Sequence, residues 1–439
     1  MQIKSRISVL LLLFGFNYMF SQETILNLKE AIDLSITKSN EAILANTKKE
    51  TKKLEVNIAK NIQYPDLKIS GQYLRLTGAS VNLKNSNPNA MSSPEVNELI
   101  LGQANVNFPL FSGFKIQNSI KASQNLYQAE ASKMIQTKEE IALKVVEYYA
   151  NLYRAQKSVK LISENLKSAE QRVADFSNLE KNGVIARNDL LKVKLQLSKV
   201  QLSLDEMKKN ASVLNYQLIV MLKLPEDFKI GIDEHQFDSE KSEFVTRTFD
   251  DALKNRKDLE AFEFINKAAQ NNVAIAKSAC FPQIALKAGY ASLQLQNVVT
   301  VSNAVNFGLG FNYDLSSILK VGSQVKVAKN KLSETKQSQE ILSENIKVQV
   351  QNSYENYSLT LKQNAVYAEA VGQASENYRI VKDKYDNGLA TTNDLLEADV
   401  EQLNSKLNYA LSRANSFLKY YEMQSASGLL ISSFNLQNK

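Results

Sequence analysis

Few residues in this 439-residue chain carry the chemistry of a catalytic or metal centre. There is one histidine, His235, and one cysteine, Cys280. A lone cysteine forms no disulfide within the chain, and two ligands do not make a Cys/His metal site. A Cys–His nucleophilic pair is allowed by count, but neither residue stands in a nucleophile motif. A buried thiol and a loop imidazole are the plain readings. No Gly-rich phosphate loop is present. What remains is carboxylate chemistry at two matching stretches, "NGVIARNDLLKV" (182–193) and "NGLATTNDLLEA" (387–398). Each has Asn-Gly (Asn182-Gly183, Asn387-Gly388), four residues, then Asn-Asp-Leu-Leu. Gly suits a left-handed helix end. Asp189 and Asp394 then fall in the first turn of a following helix, where a carboxylate favours the dipole. Thr391 and Asp394 space like a capping box with Asp in place of Glu. These local roles account for both aspartates without any function. Glu397 stands where the first copy has Lys192.

The elements that place these turns are themselves repeated. The two glycines lie 205 residues apart (388 − 183), and at that shift Ile141, Val145 and Tyr149 overlay Ile346, Val350 and Tyr354. Earlier in each half the shift is 217, where "VNIAKNIQYPDLKISGQY" from Val56 overlays "VAIAKSACFPQIALKAGY" from Val273. The first copy therefore holds about twelve extra residues, in a Pro/Asn/Ser-rich stretch before Phe108. Each unit reads helix–strand–strand–helix–helix. The first helices (about 27–63 and 247–280) stop at Pro65 and Pro282. Period-two alternation marks the strands, most cleanly Val305, Phe307, Leu309 and Phe311 against Asn306, Gly308 and Gly310. The third strand (about 283–296) slips phase near Tyr290-Ala291, the mark of a bulge. Long helices follow (about 113–180 and 318–385), each roughly 100 Å at 1.5 Å per residue. Their apolar steps of three and four, such as Tyr149, Leu152, Ala155, Val159 and Ile162, form a heptad seam. Return helices begin near Asn188 and Asn393, with Leu190 and Val193, and Leu396 and Val400, opening their seams. The organisation is a first repeat over 22–223 (strands about 65–111, turn about 181–189), a linker over 224–246 and a second repeat over 247–439 (strands about 282–316, turn about 386–394). The linker reads as part of a belt around the helices.

Fourteen Gly and six Pro in the whole chain suit long helices. The net charge is +7, but 53 Lys+Arg are dispersed among 46 Asp+Glu, with no basic run interleaved with aromatics. Nucleic acid is not expected as a partner. Residues 1–21 read as a signal peptide: Lys4 and Arg6, an apolar run from Ile7 to Phe20, then Ser21. The run is short for a membrane anchor, and no Cys stands at the cleavage site for a lipid. No later segment approaches a transmembrane helix. The expected product is an exported, mainly α chain with a small β part: long coiled-coil hairpins plus four strands. A sheet in lipid must close, and four strands cannot close alone. Three chains would supply twelve. A soluble coiled-coil protein with a small β head explains the heptads but not strands duplicated in register with helices.

On these residues the sequence resembles the TolC-like outer membrane efflux proteins, over essentially the whole mature chain. The duplicated unit and the two Gly-x5-Asp-Leu-Leu turns carry the resemblance. It implies a homotrimer whose 12-stranded β-barrel in outer membrane lipid continues into a periplasmic α-barrel. It implies docking on a periplasmic adaptor and an inner-membrane pump of the RND or ABC type, with export of drugs, metals or proteins. Energy then comes from the pump, so neither a catalytic residue nor a cofactor is expected. By motif position Asp394 and Glu397 match acids that ring the entrance and set cation preference. Tyr385 and Asp189 match residues that link neighbouring coils and hold it shut. The turns at Asn182-Gly183 and Asn387-Gly388 match the tips where the adaptor docks. Ala390 departs from the family member with the best-understood gate, which has an arginine in that network, and Lys192 could pair with an acid and reduce the negative field. The competing expectations are a periplasmic coiled-coil adaptor or scaffold, which should have one hairpin and Gly-rich β-domains, and an enzyme.

Overall fold

The computed structural model describes residues 24–80, 95–237 and 249–436. The expected signal peptide, most of the first copy's longer loop and the end of the linker lie outside these residues. The first copy runs β1 (Thr24–Ile25), α1 (Leu28–Lys38), α2 (Asn40–Asn61), β2 (Asp66–Ser80), β3 (Glu95–Phe111), α3 (Lys115–Lys181), α4 (Arg187–Leu222). A short strand, β4 (Ile230–Gly231), follows in the linker. The second copy runs α5 (Phe249–Asn255), α6 (Lys257–Lys277), β5 (Gln283–Leu295), β6 (Val299–Asn312), α7 (Leu315–Asp386), α8 (Thr392–Ala426), α9 (Leu430–Ser433). The helix–strand–strand–helix–helix unit is thus present twice. Neither opening helix is continuous, contrary to the expectation of single helices. The first breaks at Ser39, whose Oγ accepts from the N–H of Ala42 at 3.2 Å and so caps α2. The second breaks between α5 and α6 at Arg256, the matching position (39 + 217).

Two compact units form, and each draws on both copies of the repeat. One comprises the described residues within 45–135 and 257–344 and holds a four-stranded sheet of order β2-β3-β5-β6. Every pairing is antiparallel, and among the described residues β2 and β6 are the unpaired edges. Register lays the side chains out in rows. Leu67, Val106, Ala288 and Phe307 form one row, and Ile69, Ala104, Tyr290 and Val305 the next. The opposite face carries Lys68, Asn105, Gly289 and Asn306 in a row. Gly289 leaves room for its neighbours there: a Cβ would meet Asn105 Oδ1 at 3.0 Å and Asn306 Oδ1 at 3.1 Å, so both side chains would have to shift by a few tenths of an ångström. The expected bulge lies between Ala291 and Leu293, where β6 inserts a residue and Asn303 takes φ 55°.

The other unit comprises the described residues within 1–44, 136–256 and 345–439. Its core gathers one face of α3 (Ile141, Val145, Tyr149, Leu152) with α1, the end of α4 and the end of α8. Linker residues Ile230 and Phe237 complete it, with Phe237 stacked on Tyr153 at 3.8 Å between centroids. Residues 224–237 of the linker thus pack onto the helices. Tyr149 is fully buried and donates its hydroxyl to the carbonyl of Leu26 at 2.9 Å. Glu139 is also buried, accepting from the N–H of Ile431 through Oε1 and Oε2 at 3.2 and 3.3 Å. Among the described residues no helix is long and apolar enough to cross a membrane.

Candidate functional site

Both turns are closed by the same backbone bonds. After α3, Val184 N–H donates to Leu179 O and Gly183 N–H to Glu180 O. After α7, Leu389 N–H donates to Lys384 O and Gly388 N–H to Tyr385 O. This is the Schellman arrangement, with Gly183 at φ 75° and Gly388 at φ 73°. Asn387 adds a side-chain bond from Nδ2 to Asp383 O at 2.7 Å. Asn182 contributes only its N–H, to Asn178 O.

The return helices begin differently. At α8 the capping box is complete: Asp394 N–H donates to Thr391 Oγ1, and Asp394 Oδ2 accepts from Thr391 N–H at 2.8 Å. The Thr391 hydroxyl also donates to Asp394 Oδ2 at 2.8 Å. The backbone bond first, then the hydroxyl, holds the Asp394 carboxyl below the usual aspartate range. At α4 the N-cap is Ala186, which has no side-chain bond to give. Asp189 instead takes a salt bridge from Lys192, Nζ to Oδ1, at 3.3 Å. The first turn is therefore charge-neutralised as its Lys192 suggested, while the second presents Asp394 and Glu397 exposed.

Tyr385 is half-buried and stacks on Phe176 at 5.5 Å and 8° between ring planes. It packs against a cluster of Phe176, Leu190, Val193 and Leu395, which joins α3, α4 and α8 beside the turns. Leu395 is the buried seam residue at the start of α8, whereas the expected Leu396 is partly buried. Tyr385 and Asp189 are not joined to each other by a hydrogen bond within the chain; each has the separate partner just described.

One feature of this region escaped the sequence reading. Arg172 on α3 and Asp399 on α8 form a two-pronged ion pair at 3.0 and 2.9 Å, with side chains 8% and 4% exposed. Arg172 also donates to the Tyr378 hydroxyl at 3.4 Å, and Asn165 Nδ2 approaches both Asp399 oxygens at 3.4 Å. Burial opposes the Arg172 charge, but the bonds and charge of Asp399 outweigh it and raise the arginine pKa further. Arg172 lies eleven residues before one turn glycine (183 − 172), and Asp399 eleven after the other (399 − 388). Arg172 stands between the seam residues Ala169 and Phe176, and no local spacing in the sequence pairs it with Asp399. Among the described residues, no group of three or more His, Cys, Asp or Glu could hold a metal.

Comparison with known proteins adds the family. A family model described as outer membrane efflux protein matches residues 45–220 and 248–427. Nothing among curated proteins matches significantly. Among solved structures, a membrane protein from Pseudomonas aeruginosa aligns at 13% identity and TM-score 0.80, covering 92% of this chain and 93% of its own. The outer membrane protein VceC of Vibrio cholerae aligns at 16% identity and TM-score 0.75, covering 91% and 96%. The outer membrane channel CmeC of Campylobacter jejuni aligns at 16% identity and TM-score 0.75, covering 92% and 86%.

Proposed function

We propose, from the premise that this chain belongs to the outer membrane efflux protein family, that three copies of it form the exit duct of an efflux system. Family membership makes it an outer membrane channel protein rather than an enzyme.

One observation carries that reading: the two-faced sheet with two free edges. Its apolar rows stand in the open, with Ile69 80%, Val305 74% and Phe307 87% exposed. The other face carries the polar row of Lys68, Asn105, Gly289 and Asn306. A sheet in lipid must pair every edge. The order β2-β3-β5-β6 is antiparallel throughout, so β6 of one copy meets β2 of the next antiparallel as well. Three copies give twelve strands, with the apolar rows toward lipid and the Asn105–Gly289–Asn306 row toward a wet lumen.

At the turns, Asp394 and Glu397 of three chains would set six carboxylates at the entrance. The first turns contribute little field, because Lys192 offsets Asp189. The Tyr385–Phe176 stack ties α7 to α3, Tyr385 and Asp189 help to hold the entrance shut, and the two Asn-Gly tips are the docking points of a periplasmic adaptor. Energy is supplied by an inner-membrane pump of the RND or ABC type. The family description favours efflux over protein secretion.

Cation preference in planar bilayers tests the entrance. Asp394→Ala with Glu397→Ala should reduce cation over anion selectivity and weaken block by trivalent cations. Unchanged selectivity and block would reduce both carboxylates to surface charge and helix capping.

A further inference from the structure

Asparagine followed by glycine occurs twice in the chain, and both pairs stand at the hairpin turns, Asn182-Gly183 and Asn387-Gly388. Asparagine suits a helix end and glycine the left-handed residue after it, so the turns account for both pairs. The same pair carries a chemistry of its own. Glycine has no side chain to shield its backbone nitrogen. That nitrogen can attack the side-chain amide of the asparagine before it. The glycine N–H gives up its proton, the nitrogen bonds to asparagine Cγ, and the Cγ–Nδ2 bond breaks with loss of ammonia. Water then opens the cyclic imide. Opening at Cγ gives aspartate. Opening at the former backbone carbonyl gives isoaspartate, in which the main chain runs through the side-chain carbon. The balance is one water in and one ammonia out, with no oxidant.

The two turns present the nucleophile alike and the electrophile differently. All four residues are exposed. The glycine nitrogens are equally restrained: Gly183 N–H donates to Glu180 O at 3.0 Å and Gly388 N–H to Tyr385 O at 2.9 Å. Their φ angles are 75° and 73°. A Cβ built on either glycine meets nothing within 4 Å, so the space beside each is open. The asparagines differ. Asn387 Nδ2 donates to Asp383 O at 2.7 Å. That amide must leave its bond before Cγ can reach Gly388 N. Asn182 makes no such bond among the described residues; only its backbone N–H is used, to Asn178 O at 3.1 Å.

We infer that Asn182 is a site of spontaneous deamidation, and that Asn387, in the same motif, is held back by its bond to Asp383. The product places a carboxylate at the C-terminal end of α3, where negative charge opposes the helix dipole. It also adds a negative charge to a turn whose Asp189 is offset by Lys192. The chemistry needs only the exposed turn, and stands whether or not the duct reading holds.

The full-length protein is held in detergent in mildly alkaline buffer, sampled over days and digested at acidic pH. Peptide mass spectrometry gives the rate at which each asparagine becomes an acid. The same chain unfolded in guanidinium supplies the reference, because local sequence acts there without the turn. Folding should slow Asn387 about two- to tenfold more than Asn182, the range that one hydrogen bond supplies. Equal slowing of both, or greater slowing of Asn182, overturns the proposal. So does a folded protein with no acid at Asn182 once the unfolded chain has converted. Asn182→Gln, whose longer side chain must close a larger ring, should abolish acid formation at that position and leave Asn387 unchanged. Acid that persists in this peptide of the variant comes from another residue and overturns the assignment to Asn182.

Discussion

Asp394 combines a structural and an electrostatic property in one carboxyl group, and the two separate by mutation. Thr391→Ala removes the cap partner but leaves the charge, costing local helix stability of about 1 kcal/mol. It should therefore leave cation selectivity in place, whereas Asp394→Ala should lower it; equal losses in both variants would mean that only the cap matters. The cap was legible because its partners are three residues apart. Glu139 was not, because its partner Ile431 lies 292 residues away in sequence. Burial pushes its carboxyl up to about 7, against the lowering effect of the Ile431 and Leu430 N–H groups and of Arg256. A carboxyl raised above its unfolded value means that the folded chain holds the extra proton. Stability is then greatest below about pH 4.5 as far as this group is concerned, and is lost as pH rises toward 7. The loss is up to about 3 kcal/mol. Glu139→Gln keeps an acceptor for the Ile431 N–H and has no charge to bury. Its melting temperature should exceed that of the parent at pH 8, and the gap should close at pH 5. A gap that does not change with pH would contradict the burial argument.

At the scale of elements, the coiled seams were readable from their three-and-four spacing, and the residues between them were not. Tyr149, Leu152 and Phe176 are buried as that spacing requires. The same faces also bury Arg172 and Asp399, which a hydrophobic pattern treats as gaps. Periodicity shows which side of a helix is covered, but not which helix covers it, so a pair joining α3 to α8 is invisible until both are placed. Removing one partner leaves a buried charge, at a cost of about 3–5 kcal/mol. Arg172→Met or Asp399→Leu alone should lower the thermal midpoint of the helical circular dichroism signal sharply. The double substitution should recover most of the loss. A double variant as unstable as the sum of the singles would show that the two side chains do not act as a pair. The breaks at Ser39 and Arg256 escaped the sequence reading for a related reason: the residues around them remain good helix formers, and one serine cap decides the break at Ser39.

For the whole molecule, the duplication was the most legible feature and the sheet faces followed from it. Alternation in β6 was clear enough to assign Phe307 and Asn306 to opposite faces, and the register rows extend that division over four strands. A lysine at Phe307 would face lipid, at a cost of about 2–4 kcal/mol near the bilayer centre. Phe307→Lys should therefore reduce the amount of protein in the outer membrane, while Asn306→Lys should leave it unchanged; equal losses would mean that the faces are misassigned. What no single sequence displays is the partner of each edge, because β2 and β6 lie at opposite sides of the sheet in one chain. The central claim is that three such sheets close on one another. Its most direct test is the native mass of the protein extracted from outer membranes in detergent. The account predicts a particle of three chains that needs detergent to leave the membrane. A single chain, or protein released without detergent, would contradict it.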